Sequence, residues 1–118
     1  MKRRRVGTPE RMFQASVLTV ARVNGWHVAH FHDSRRQVVD RHGRRAFVGD
    51  AAAAGFPDMV LARGPRLVFA ELKSANGKVT TTQRAWLWAL AATGAEVHIW
   101  YPENWRVLER VLRRDRES

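Results

Sequence analysis

Apolar and polar positions along the chain fall into short blocks with two different periods. From residue 10 to about 24, Phe13, Val17, Val20 and Ala21 recur at three- and four-residue spacing, which predicts an amphipathic helix with one apolar stripe. Thr8-Pro9-Glu10 supplies its start, with a threonine N-cap, a proline at the first helical position and a carboxylate in the first turn. Gly25 supplies its stop. Residues 26–32 then read as a strand. Residues 59–62 and 66–73 are strand-like runs separated by the turn signal Arg63-Gly64-Pro65-Arg66, and together they predict a β-hairpin. A second helix begins near Thr80, where Thr80-x-x-Gln83 fits a capping box, and Gly94 ends it. Trp86, Leu87, Trp88 and Leu90 among alanines make this helix apolar nearly all the way round, so it is expected to be covered on more than one side, with a partner subunit as one such cover. Residues 96–101 read as another strand, and Pro102-Glu103-Asn104-Trp105 leads into a short basic C-terminal helix.

The resulting order is α-β-β-β-α-β-α, an α/β fold with one mixed sheet flanked by helices. Residues 1–7 read as a basic, frayed tail and residues 8–118 as a single domain. Residues 33–54 break the pattern. They show no helical or strand period and are expected to form a long basic loop carrying Arg35, Arg36, Arg41, Arg44 and Arg45, with a short helical turn at the Ala51–Ala54 run. Loops of that length in small domains are commonly functional.

Composition narrows the function. A chain of 118 residues suffices for one modest core. The absence of cysteine excludes disulfides and thiolate zinc sites. No apolar run is long enough to span a membrane and no signal-peptide pattern opens the chain, so a cytoplasmic protein is expected. A net charge of +10, carried mainly by arginine, favours a polyanionic partner.

Candidate chemistry is concentrated in Gly55-Phe56-Pro57-Asp58 and in Glu71-Leu72-Lys73. The hairpin returns Glu71 and Lys73 to the end of the sheet where Asp58 enters, and residues two apart on a strand share a face. Leu67 and Phe69 on one side and Val68 and Ala70 on the other suggest a strand buried on both faces. A strand of that kind ending in a carboxylate and an amine must pair those charges, hydrate them or give them a metal. The residues alone leave two readings open, a structural Glu71–Lys73 ion pair or a metal site in which two carboxylates sit beside a lysine. Gln83 likewise belongs either to the capping box or to this site. His30-x-His32 followed by Asp33 could begin a zinc site but lacks clear further ligands. Trp86, Trp88 and Trp100 are expected in the core, whereas Trp26 and Trp105 lie near element ends.

Glu10 with Phe13-Gln14, Gly25-Trp26, Asp33-Ser34-Arg35, Gly55-Phe56-Pro57-Asp58, Glu71-Leu72-Lys73, Gln83 with Trp86-Leu87, and Gly94-Ala95-Glu96-Val97 with Trp100 occur in that order. In this the chain resembles the stand-alone VRR-NUC nucleases of the PD-(D/E)xK superfamily, phage and bacterial members of which are small. The resemblance extends from about Thr8 to Leu112. It implies a single restriction-endonuclease-like domain and a magnesium- or manganese-dependent DNA endonuclease. Asp58, Glu71 and the backbone carbonyl of Leu72 would ligate the metal, and Glu10 would stand near it. Lys73 would act on the attacking water, with Gln83 at the start of the following helix. Apart from the resemblance, which matches residues 35–54 poorly, the basic charge of Arg35, Arg36, Arg41, Arg44, Arg45 and Lys78 makes them the expected DNA contacts. The resemblance also implies a homodimer acting on branched or duplex DNA. A non-catalytic basic module that binds DNA or RNA on the same fold is the alternative.

Overall fold

The computed structural model describes residues 8–31, 36–39, 42–43, 45–48 and 54–114. Helix α1 (Pro9–Val23) begins as its sequence dictates, with the Thr8 hydroxyl accepting a hydrogen bond from the Arg11 amide at 3.2 Å and proline inside the first turn. It ends in a Schellman turn. The Gly25 amide donates to the Arg22 carbonyl and the Trp26 amide to the Ala21 carbonyl, both at 3.0 Å. Gly25 takes φ +82°, which a side chain would resist. Phe13, Gln14, Val17 and Ala21 are the buried stripe, so a glutamine joins the apolar face and Val20 lies at its margin.

Strands β1 (His27–His30), β4 (Met59–Arg63), β5 (Arg66–Leu72) and β6 (Glu96–Trp100) form one mixed sheet in the order β1-β4-β5-β6. The β4–β5 hairpin is antiparallel with Met59 opposite Ala70 and Arg63 opposite Arg66. β5 and β6 are parallel, with helix α2 (Thr81–Ala92) as the crossover between them. A short 3₁₀ turn (Pro102–Asn104) leads into helix α3 (Trp105–Leu112). This confirms the α/β architecture.

The core lies on one face of the sheet. Met59 and Leu61 of β4, Val68, Ala70 and Leu72 of β5 and Trp100 of β6 cluster with Phe13, Val17 and Ala21 of α1, Trp26, and Leu108 and Leu112 of α3. Strand alternation accounts for this choice, since Val68, Ala70 and Leu72 point one way while Leu67, Phe69 and Glu71 point the other.

Three expectations are corrected here. The strand carrying Glu71 is not dry on both faces, because Leu67 is 46% exposed and Phe69 is only half-buried. Trp88 does not reach the core: it is 73% exposed, and Leu87 is the only buried residue of α2. Helix α2 contacts β6 and, through Trp86, Phe56, while its Trp88 side is left exposed. Finally, the segment expected to be a featureless loop contains a second sheet, in which β2 (Arg36–Val39) pairs antiparallel with β3 (Arg45–Val48) around His42-Gly43. Neither short strand alternates polar and apolar residues, so no strand period shows, even though Val38, Val39, Phe47 and Val48 are good strand formers. The proposed helical turn at Ala51–Ala54 and the N-terminal tail lie outside the described residues, apart from Ala54.

Candidate active site

Two chain segments meet at the end of the β4–β5 hairpin opposite its turn. Gly55 lies against the first turn of α2 so closely that a Cβ there would stand 2.8 Å from the Gln83 amide nitrogen, and its φ is +86°. Glycine is therefore required twice, for the left-handed backbone and for the close approach. Phe56 and the buried Pro57 then deliver Asp58 to the start of β4.

Asp58 is held by three hydrogen bonds. Its Oδ2 accepts from the Leu72 amide at 2.8 Å, its own amide donates to Glu71 Oε1 at 3.2 Å, and its carbonyl accepts from the Phe31 amide at 2.7 Å. Each carboxylate is thus fixed by backbone belonging to the other strand. Glu71 is 1% exposed, and its Oε2 has no hydrogen bond. The Lys73 ammonium lies 3.3 Å from that oxygen and donates to Gln83 Oε1 at 2.7 Å. Gln83 Oε1 also accepts from the Thr80 amide at 2.9 Å, while the Thr80 hydroxyl accepts from the Gln83 amide at 3.1 Å. A single Gln83 oxygen thus completes the capping box and accepts from the Lys73 ammonium.

The electrostatics follow from this packing. Burial raises the Glu71 carboxyl and the negative charge of Asp58 raises it further. Lys73 offsets only part of this, leaving Glu71 at about 7. Two neighbouring carboxylates offset by a single ammonium, which lies 3.3 Å from Glu71 Oε2, offer an all-oxygen set that fits a hard divalent cation.

The other sequence-derived candidates are distributed differently. Glu10 is exposed in the first turn of α1, and among the described residues no three His, Asp or Glu side chains stand close enough to share one ion. The zinc reading of His30-x-His32 gains no ligand group there either, and His32 and Asp33 lie outside the described residues. Lys78 is exposed in the connection from β5 to α2. Arg36 and Arg45 fall on β2 and β3, whereas Arg35, Arg41 and Arg44 lie outside the described residues. Two features went unread in the sequence. One is a cleft of about 410 Å³ lined by Arg11, Gln14, Ala15, Leu18 and His30. Its only sequence signal was a glutamine on an apolar helix face. The other is Phe31, tied to Asp58 through its backbone.

Among the described residues, no helix is long and apolar enough to cross a membrane. No curated protein and no solved structure matches the chain. The sequence model of the VRR-NUC domain matches residues 9–102, a span that includes α1, the whole four-stranded sheet and the Asp58–Glu71–Lys73 cluster. The chain belongs to the VRR-NUC family and is a nuclease of the PD-(D/E)xK type, for which DNA is the implied substrate.

Proposed function

We propose that the protein is a divalent-metal-dependent DNA endonuclease that hydrolyses phosphodiester bonds and prefers branched DNA. The observation that carries this reading is the Glu71 carboxyl, buried beside the Asp58 carboxylate and held at about 7 although the Lys73 ammonium lies 3.3 Å from its Oε2. One lysine offsets only part of the cost of two carboxylates so placed, and a divalent cation would offset the rest. Asp58, Glu71 and the Leu72 carbonyl would hold magnesium or manganese. When bound, the ion polarises the scissile phosphate and lowers the pKa of the attacking water.

The chain supplies the rest. Lys73 orients that water and offsets the negative charge that grows on the phosphorus oxygens in the transition state. Gln83 keeps the ammonium from swinging out to solvent, and the capping box keeps Gln83 in place. We leave Glu10, exposed in the first turn of α1, out of this ligand set. Lys78 and the arginines of residues 35–45 contact backbone phosphates, which positions DNA without reading its sequence. We assign the activity to the cytoplasm, in keeping with a chain free of cysteine.

We further propose that the nuclease works as a homodimer through α2. Ala85, Trp88, Ala89 and Ala92 recur at helical spacing along its exposed side, a stripe suited to meeting its own copy. Trp88→Glu should convert a dimer to a monomer in sedimentation analysis; a wild-type chain that sediments as a monomer at all concentrations would exclude this assembly.

The decisive test is cleavage of labelled four-way junction, flap and linear duplex DNA with magnesium, manganese or EDTA, wild type beside Lys73→Ala. Metal-dependent cutting should fall by about a thousandfold in the variant while binding to the junction persists. Equal turnover by Lys73→Ala would overturn the mechanism, and tight binding without cutting under any metal would identify a binding module instead.

A further inference from the structure

Beside the carboxylates stands a ridge of four aromatic rings that the chemistry described so far does not use. Phe31, the residue after β1, is 47% exposed, although its amide donates at 2.7 Å to the carbonyl of Asp58. Its ring meets Phe56 edge-on, with centroids 5.8 Å apart and planes at 84°. Phe56 in turn meets Phe69 at 6.1 Å and 88°, and Trp86 at 5.1 Å and 79°. Edge-to-face contacts of this kind fix ring orientation.

Each backing ring comes from an element that also carries a site residue. Phe56 precedes Asp58 by two positions, Phe69 precedes Glu71 by two on the same face of β5, and Trp86 follows Gln83 by one helical turn. Phe31 is therefore rigidly indexed to the reacting groups while its outer surface remains in water. Phe31 is also not needed to fill the core, which lies on the opposite face of the sheet.

We propose that Phe31, backed by Phe56, Phe69 and Trp86, is a stacking subsite for an unpaired nucleobase next to the scissile phosphate. The inference rests on the nuclease reading. A phosphodiester placed at Asp58 and Glu71 brings its flanking base within reach of this ridge, and an apolar ring can bind a base only through its flat face. Inside an intact duplex both faces of a base are already stacked, so the ridge has nothing to take up. At a branch point, flap or gap the free face is available. Selectivity for such DNA is then built into a single side chain beside the metal ligands, with no need for base-edge hydrogen bonds.

The test uses the full chain with branched oligonucleotides carrying 2-aminopurine at successive positions around the branch, bound to the Lys73→Ala variant so that no cleavage occurs. Fluorescence should be quenched at one position next to the branch, retained with Phe31→Tyr and lost with Phe31→Leu. In the Lys73 background, Phe31→Leu should raise KM for branched DNA about tenfold, a stacking-sized loss. Cleavage of fully paired duplex should be affected less than that of branched DNA, and Phe31→Tyr should restore KM. Unchanged quenching and KM in Phe31→Leu, or equal losses on branched and paired DNA, would overturn the proposal. Should the wild type cut no DNA at all, the nuclease reading falls by itself, while the quenching pattern still decides whether the ridge holds a base.

Discussion

The two ends of the β4–β5 hairpin treat charge in opposite ways. At the turn, the Arg63 guanidinium donates to the carbonyls of Asn24 and Leu112 at 3.0 Å and to that of Arg113 at 3.4 Å, and it lies 4.4 Å from the centre of the Trp26 ring. Arg66 donates to the Val111 carbonyl and to both oxygens of Glu96, at 3.0 and 2.7 Å. These two cations therefore sit where the last carbonyls of α1 and α3 lack partners, which is where a helix favours positive charge. Burial opposes the charge on Glu96, but hydrogen bonds from His98 and Arg66 outweigh it and hold the carboxyl below its ordinary value. At the open end, two carboxylates are pinned together by backbone amides and one lysine pairs with Glu71 alone, itself held by Gln83. The hairpin thus joins a pole where every charge stabilises the fold to one where charge strains it. Such strain is the expected mark of a place reserved for a ligand.

The largest effect that would sharpen this contrast is expected from Glu71→Gln. Cleavage should fall by about a thousandfold or more, because an amide neither holds the cation nor carries charge. Stability of the metal-free protein should move the other way. Below the unfolded carboxyl value near 4.5, Glu71 is protonated in both states and costs nothing. As the pH rises toward 7 the unfolded chain gives up this proton while the folded chain keeps it, so stability is lost with rising pH through that window. A carboxyl raised from 4.5 to about 7 corresponds to about 3 kcal/mol at pH 8. Urea titrations at pH 5 and pH 8 without metal should show that slope in wild type and its disappearance in the variant. A glutamine variant less stable than wild type at pH 8 would mean that the open end is not strained.

At the turn end, Arg63→Ala should destabilise the fold by about 2 kcal/mol, since the Asn24 and Arg113 carbonyls lose this donor, the Leu112 carbonyl keeps only the Trp26 indole N–H, and one side of Trp26 is exposed. Activity per folded molecule should not change. Denaturation curves together with active-site-normalised cleavage would separate the two. A large loss of kcat with unchanged stability would break the division between the poles.

How far the sequence already displayed this arrangement differs between the poles. Thr8, Pro9 and Gly25 framed α1, and Arg63-Gly64-Pro65-Arg66 marked the turn, because caps and turns are local chemistry. The meeting of Asp58 with Glu71 followed from the hairpin alone, as its two strands had to bring position 58 opposite position 71. What could not be read depended on distant contacts. Gly55 stood in the sequence only as part of the Gly55-Phe56-Pro57-Asp58 motif, yet it is needed for its approach to the backbone of α2, twenty-eight residues ahead at Gln83. The arginines at 63 and 66 counted toward a basic, DNA-seeking charge, yet both are occupied by helix carbonyls and Glu96. Trp88 counted toward the core because periodicity reports which faces are apolar, without saying how many of them find cover. The β2–β3 hairpin was hidden because its short strands, Arg36-Gln37-Val38-Val39 and Arg45-Ala46-Phe47-Val48, show no alternation of polar and apolar residues.

The smallest predicted effect concerns Glu10, which separates sequence pattern from structural position most sharply. The family resemblance sets it beside the metal, whereas the fold puts it on the exposed first turn of α1, where the dipole alone justifies a carboxylate. If that position persists in the DNA complex, Glu10→Ala removes only a surface charge near a helix terminus. Cleavage should then change by about twofold at most, the size of a screened dipole contribution. Magnesium titration of activity discriminates the alternatives, because loss of a ligand raises the metal concentration needed for half-maximal rate while loss of a surface charge does not. An unchanged metal requirement in Glu10→Ala leaves a two-carboxylate site at the open end of the hairpin. A requirement raised tenfold or more would mean that α1 brings its carboxylate to the ion when DNA binds, making the strained end a site completed only by its substrate.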